Sequence, residues 1–265
     1  MEPKAASSKT AVGSFCWLEL ATTEPKAATR FYGQLFGWTA EDAPMGPDFT
    51  YTMLKSGGQD VGGAYALMKE QLESHVPPHW MLYVRVESAD EAAARAVALG
   101  GRQIVPPSDI PEVGRFAVLQ DPTGAFISVF ETGKHSGFTT FGDVGALCWA
   151  DLNTPDPDKA SAFYANWLGW GYEMGEDRYR HILNGTGDAN MIGGIPGEIH
   201  AAPGTPAHWL PYFHAADCKA TAARAVELGA SAILPATLMP EVGTIGVIAD
   251  PQGAVFALYQ PLAGR

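Results

Sequence analysis

The sequence predicts an α+β protein made of two copies of one unit. Cys16–Trp38 aligns on Cys148–Trp170 without a gap, with 10 of 23 positions identical. Ala94–Phe130 aligns on Ala223–Tyr259 with 17 of 37 identical at a constant offset of 129. A fixed period of this kind marks repeated architecture. Within each copy the apolar pattern changes from a period of two to that of a helix and back, which places strands around helices. Copy one runs over 13–131 and copy two over 145–261. A connector rich in Gly, Thr and Ser covers 132–144, and a polar tail expected to be flexible covers 1–12.

Each copy reads as two smaller strand–helix–strands units. Phe15–Leu20 alternates as a strand. A helix follows, with Pro25 or Pro157 suited to the first helical position, where a missing N–H costs nothing. Asp156 is a good N-cap and Glu24 a weaker one. Phe31, Leu35 and Phe36 point toward a sheet, and Gly37 or Gly169 ends the helix. Short strands near 49–55 and 61–67 are joined through Ser56-Gly57-Gly58, a hairpin signal. The order then restarts. His79–Val86 alternates, Ser88-Ala89-Asp90-Glu91 reads as a capping box, and an alanine-rich helix stops at Gly100. Strands near 103–105, 115–119 and 125–131 complete the unit, the last two joined by Asp121-Pro122-Thr123-Gly124, a type I turn sequence. A unit of this size cannot bury one sheet face alone, so four such units in two pairs are expected.

Composition narrows the function. Seventeen Lys and Arg against 29 Asp and Glu give a formal charge of −12. That balance argues against a phosphate-tracking nucleic-acid binder and against docking on an anionic membrane. No apolar run approaches the ~18 residues of a membrane span, and the opening residues lack the apolar stretch of a secretory signal. Three cysteines (Cys16, Cys148, Cys218) are too few and odd in number for a disulfide framework, so reduced thiols in a cytoplasmic protein are expected. Cys16 and Cys148 fall on the helix-facing side of their strands and read as core.

The strand–helix–strands order, Phe31-Tyr32 and Phe163-Tyr164 ahead of Gly37-Trp38 and Gly169-Trp170, and the Asp-Pro-x-Gly turn before the last strand together resemble the vicinal oxygen chelate superfamily. That group includes glyoxalases, bleomycin-resistance proteins and extradiol dioxygenases. The tandem arrangement with His79-Trp80 and His208-Trp209, and with Pro-Glu-Val-Gly at 111–114 and 240–243, is similar to two-domain glyoxalase-like proteins. The resemblance covers nearly the whole chain. It implies a mixed sheet curled into a cup in each copy with helices outside, and a small-molecule ligand. It also implies metal ligands on the first and last strands of the paired units, at positions that fall on Trp17, Met81 and Ser128, and on Trp149, Leu210 and Ala257. A divalent site needs about three His, Glu or Asp ligands, and none of these positions supplies one. No cofactor is expected.

The residues on the inward face therefore suggest a pocket lined by aromatic groups. Strand alternation points Trp17, Tyr83 and Phe130 inward in copy one and Trp149, Tyr212 and Tyr259 in copy two, with Met81 and Leu210 facing the cup mouth, and the resemblance adds Ser128 to the same face. Small-molecule pockets are mostly apolar with a few polar groups, although part of this set could instead fill the cup as core. Glu19 and Asp151 occupy the same strand position in both copies. Burial would make either a proton acceptor or a ligand anchor; an ion pair that merely stabilises both copies fits as well. His79 and His208 at the strand starts read as general bases or as histidines satisfied by backbone. His214, where copy one has Arg85, favours the second copy for acid–base work, since histidine titrates near neutrality. His181 is a lone histidine opposite Met53 in the alignment and reads as structural. Binding, sequestration and a metal-free conversion of an aromatic or apolar metabolite all fit. So does a divalent-metal lyase or ring-cleaving dioxygenase with displaced ligands at Glu19, Asp151 or His214. A monomer and a homodimer are both compatible with the sequence.

Overall fold

The computed structural model describes residues 11–47, 49–186, 190–197, 204 and 206–262. The tail expected over 1–12 falls for the most part outside them. The first copy holds β1 (Phe15–Thr22), α1 (Pro25–Phe36), β2 (Thr39–Pro44), β3 (Thr50–Ser56), β4 (Gln59–Ala66), α2 (Lys69–Glu73), β5 (His79–Val86), α3 (Ala89–Ala98), β6 (Arg102–Ile110), β7 (Gly114–Gln120) and β8 (Phe126–Thr132). The second holds β9 (Leu147–Asn153), α4 (Pro157–Leu168), β10 (Gly171–Met174), β11 (Arg180–Leu183), β12 (Met191–Ile195), β13 (His208–His214), α5 (Cys218–Glu227), β14 (Ser231–Met239), β15 (Gly243–Ala249) and β16 (Val255–Pro261). Each copy forms one open eight-stranded sheet, ordered β2-β3-β4-β1-β5-β8-β7-β6 and β10-β11-β12-β9-β13-β16-β15-β14. The sheets are mixed. Hairpins such as β7–β8 are antiparallel, while β4 returns parallel to β1 and β8 parallel to β5 after helical crossovers.

Local chemistry explains the helix ends. The Asp156 carboxylate accepts from the Lys159 amide at 3.0 Å, whereas Glu24 makes no side-chain cap. Ser88 accepts from the Glu91 amide, as its capping pattern requires. Gly37 and Gly169 both take the left-handed conformation, φ +74° and +76°, which favours glycine over any residue with a Cβ. In α1 the inward residues are Ala28, Phe31 and Tyr32, with Leu35 and Phe36 only half-buried. Tyr32 thus belongs to the core set that the periodicity assigned to Leu35 and Phe36. In copy one two elements escaped the sequence reading, β2 and the short α2. Exposed Thr39–Pro44 is an edge strand with no apolar face, so it carries no period-two signal.

The chain divides into two compact units, each drawn from both copies. One comprises Met1–Trp17, Leu82–Gly137 and Ala150–Trp209, and the other Leu18–Met81, Phe138–Trp149 and Leu210–Arg265. In the first, α3 packs on α4; in the second, α1 packs on α5.

Within each unit, the motifs that carried the resemblance bond one copy to the other. In the first unit, the Trp209 indole donates to the Tyr164 hydroxyl at 3.1 Å, and Tyr164 donates to Asp121 Oδ2 at 3.0 Å. The other Asp121 oxygen accepts from the amides of Thr123, Gly124 and Ala125 and from the Thr123 hydroxyl, which closes the turn. In the second unit Trp80 donates to Tyr32 at 3.1 Å, and Tyr32 to Asp250 Oδ2 at 2.9 Å. The tyrosine of each copy is therefore bonded to the turn aspartate of the other. Trp38 likewise donates to the Gly145 carbonyl and Trp170 to the Gly13 carbonyl, both at 2.8 Å. Burial and the adjacent aspartates raise both tyrosine pKa values well above normal, so each remains a donor.

The connector is pinned as well. Gly133 and His135 amides donate to the Val113 carbonyl in the first unit. In the second, Phe138 and Thr140 are buried, and Thr140 donates to the Asp60 carbonyl. Its Gly and Thr content reflects tight backbone packing rather than slack: a Cβ on Gly137 would lie 2.3 Å from the Cys16 carbonyl oxygen.

Candidate functional site

In the first unit, β5 and β8 run parallel with Tyr83 opposite Ser128 and Arg85 opposite Phe130, and β7 sets Phe116 against Phe130. These registers put Tyr83, Ser128, Phe130 and Phe116 in adjacent rows. Trp17 meets the His135 ring edge-on at 4.8 Å, and Tyr83 lies 6.5 Å from Phe116. Ser128 is 0% exposed and its Oγ has no hydrogen-bond partner among the described residues.

The second unit holds the copy-two counterpart. Leu210, Tyr212 and Ala257 form a buried patch against which Cys148, Trp149, Ile245, Val247, Val255 and Tyr259 pack. Tyr259 donates to the Val242 carbonyl at 3.0 Å, which anchors its ring. Cys148 donates to the Tyr212 carbonyl, and burial pushes its thiol up to about 12. Cys16 is shifted likewise, so neither is a thiolate at neutral pH. Met81, half-buried on β5, belongs to this unit too.

The two carboxylates sit in similar settings. Asp151, 6% exposed on β9, lies opposite Gly194 of β12 and accepts from the Tyr179 hydroxyl at 2.6 Å. Glycine is required at 194, because a Cβ there would lie 1.9 Å from the Tyr179 hydroxyl oxygen. The Tyr179 and His181 rings meet at 4.9 Å. In the other unit Glu19 lies opposite Gly63, and a Cβ on Gly63 would lie 2.0 Å from the Tyr51 hydroxyl oxygen. Burial first, and then the Glu19 charge, push the Tyr65 hydroxyl up to about 12. Tyr51 and Tyr179 were missed by sequence reasoning; the paired glycines at 62–63 and 193–194 were the signal that a large group approaches the backbone.

The histidines are held by main chain. His79 Nδ1 lies 2.8 Å from the Pro77 carbonyl and His208 Nδ1 2.8 Å from that of Pro206. Burial lowers the His79 pKa. His214 Nδ1 lies 2.9 Å from the Gly142 carbonyl. If each ring donates through this nitrogen, it is in the tautomer that leaves Nε2 as an acceptor. A recess of about 430 Å³ opens beside the Pro111–Gly114 turn. Its charges are already engaged, Lys134 with Glu112 and Arg115 with Asp90 and Asp109.

A metal centre is the other chemistry that such folds support. Trp17, Met81 and Ser128 in one copy, and Trp149, Leu210 and Ala257 in the other, present an indole, a thioether, a hydroxyl and hydrocarbon where a divalent ion needs imidazole or carboxylate. Among the described residues no group of three His, Cys, Asp or Glu side chains is placed to hold an ion. The residues at these positions do not fit a divalent metal.

The sequence profile of a glyoxalase-like domain matches twice, over residues 17–130 and 149–259. The chain is 35% identical over 249 residues to CFP32 of Mycobacterium tuberculosis, a protein named as a glyoxylase, covering 92% of this chain and 94% of that one. It is 30% identical to the anthracycline biosynthesis protein DnrV of Streptomyces peucetius, covering 94% of both. Among solved structures, the Mn(II)-bound glyoxalase of Novosphingobium aromaticivorans superposes with a TM-score of 0.64 at 14% identity, over 94% of this chain and 82% of that one. The 2,3-dioxygenase LapB of Pseudomonas sp. KL28 gives 0.63 at 11% identity, over 94% and 93%. At such identities these two speak for the fold alone. The chain belongs to the glyoxalase-like family of the vicinal oxygen chelate superfamily, and it carries the family's domain twice.

Proposed function

We propose that the chain binds a small aromatic or apolar molecule on the aromatic walls of its sheets, without a metal at the family positions. One observation carries this reading. Where a metal-dependent relative needs ionisable ligands, the sheet here presents Trp17, Tyr83 and Phe130 beside Ser128 in one unit. In the other it presents Trp149, Tyr212 and Tyr259 around Leu210 and Ala257. Aromatic surface with sparse polar groups suits a planar ligand. A relative that shares 30% of its residues over 94% of both chains is named for anthracycline biosynthesis, which agrees with a polycyclic aromatic ligand. Glu19, Asp151 and His214 are the residues we assign to orienting such a ligand or moving its protons, with His208 at the start of its strand. Work in the cytoplasm, with no nucleic-acid or membrane partner, accords with the charge of −12.

Two measurements test the reading. Titration with hydroxynaphthalenes and anthraquinones should quench tryptophan emission saturably, and Trp17→Leu and Trp149→Leu should each remove part of the quench. Elemental analysis of protein purified without a histidine tag should give well under one metal equivalent per copy. Stoichiometric Zn, Ni, Mn or Fe that disappears in Glu19→Ala or Asp151→Ala would overturn the metal-free part, and no quench by any aromatic probe would overturn the binding.

A further inference from the structure

We propose that edge strand β14 is the contact by which two copies of this chain pair about a twofold axis. Four strands end the two sheets, and three of them are charged. β2 carries Glu41 and Asp42, β6 carries Arg102 and Asp109, and the four-residue β10 carries Glu173. Charge on an edge keeps other chains from docking there. β14, Ser-Ala-Ile-Leu-Pro-Ala-Thr-Leu-Met, has no ionisable side chain in nine residues. Instead Ile233 and Leu238 are each 58% exposed, and Val242 in the following turn is 48% exposed. Exposed apolar groups along an uncharged edge form a surface that gains by being covered.

Copy one holds the closed alternative at the same register. β6 and β14 share a backbone design, with register shifts at matching places, so their side chains make the difference. Where copy two sets Leu238 opposite Thr244, copy one sets Asp109 opposite Arg115, which also binds Asp90. Charge also selects the occupant. A chain at −12 repels a copy of itself over most of its surface, and β14 is where that repulsion is weakest. A basic or acidic partner finds no counter-charge on the strand, whereas a second β14 offers the same neutral, apolar edge. The side chains match under a twofold axis, in which residue i meets j and j meets i. Ile233 and Leu238 lie on either side of the strand's midpoint at Pro235-Ala236. An antiparallel approach therefore sets Ile233 of one copy against Leu238 of the other, twice, and carries the two Glu241 side chains to opposite ends. Pro235 has no amide to donate and the register shifts interrupt the ladder, so side chains make the contact rather than a continuous sheet. One strand edge falls short of the ~800 Å² per partner of a standard interface, so the pairing is weak and depends on concentration.

Sedimentation equilibrium on the full chain, from about 5 to about 500 µM, tests this. The mass should rise with concentration from 28.1 kDa toward twice that value. Leu238→Asp, which installs the copy-one residue, should raise the dissociation constant at least about tenfold, because a twofold axis makes each change count twice. Ile233→Lys, at an equally exposed position, should do the same, while Ile104→Lys at the matching position of β6 should leave association unchanged. Both β14 positions face solvent in the single chain, so unchanged melting curves separate lost association from lost folding. A chain that stays at 28.1 kDa at every concentration overturns the proposal. So does a dimer that either β14 variant leaves intact, or one that Ile104→Lys weakens as much. A different protein held on this strand by a chain that stays monomeric overturns the choice of a second copy.

Discussion

The two copies agree in their frame and differ on their walls. Tyr32 and Tyr164, Trp80 and Trp209, and Asp121 and Asp250 are the same residues making the same bonds. Gly63 and Gly194 both admit a tyrosine hydroxyl over the sheet. Across the walls the pairs are unlike. Ser128 stands against Ala257, Phe130 against Tyr259, Arg85 against His214, Met53 against His181 and Glu19 against Asp151. A duplicated chain keeps what each copy must supply to the other, because a loss on either side leaves a buried donor or acceptor unpaired. The walls carry no such reciprocal obligation, and the second copy has histidines where the first has methionine and arginine.

The strongest way to break the shared frame is to remove one turn aspartate. Asp121→Ala strands four turn donors and the Tyr164 hydroxyl, and should cost about 3–5 kcal/mol in chemical denaturation. Asp250→Ala should cost somewhat less, because the Gln252, Gly253 and Ala254 amides and Tyr32 converge on it without the hydroxyl donor that Thr123 gives Asp121. Equal losses would mean that the tyrosine bond from the opposite copy, which both aspartates share, and not the number of turn donors, sets the stability. Next comes the close approach over the sheet. Gly194→Ala and Gly63→Ala must each displace a tyrosine hydroxyl, at roughly 1–3 kcal/mol.

Smaller effects sharpen the contrast between the walls. Ser128→Ala removes a buried hydroxyl that has no partner among the described residues, and should leave stability unchanged or raise it by up to about 1 kcal/mol. The mirror change, Ala257→Ser, introduces such a hydroxyl into a fully buried position and should cost about 1–2 kcal/mol. Equal and opposite changes would show the two walls to be interchangeable at this row. The smallest expected effect is on pH dependence. Burial holds the Asp250 pKa above the ordinary carboxylate value. Its folded form therefore binds a proton more readily than its unfolded form. That contribution is fully present below the unfolded pKa and is lost as pH rises through the folded one. The stability of the native chain minus that of Asp250→Asn should fall as pH is raised from below the ordinary carboxylate value to above it, and a difference that rises over this interval would contradict the shift.

The sequence by itself determined the duplication, the α+β class and most elements, because apolar period, helix caps and turn residues act over a few neighbours. It also determined which residue types the walls could carry, since strand alternation is local. It did not reveal edge strand β2, which has no apolar face, nor the exchange of partners between copies. Tyr32 read as part of a family motif, and only folding showed its hydroxyl on Asp250, 218 residues away. Tyr179 gave no signal of its own beyond the two glycines that make room for it. The tertiary structure decided these points because a hydrogen bond between distant segments leaves no periodic trace in the chain; its partners are set by which faces the core brings together.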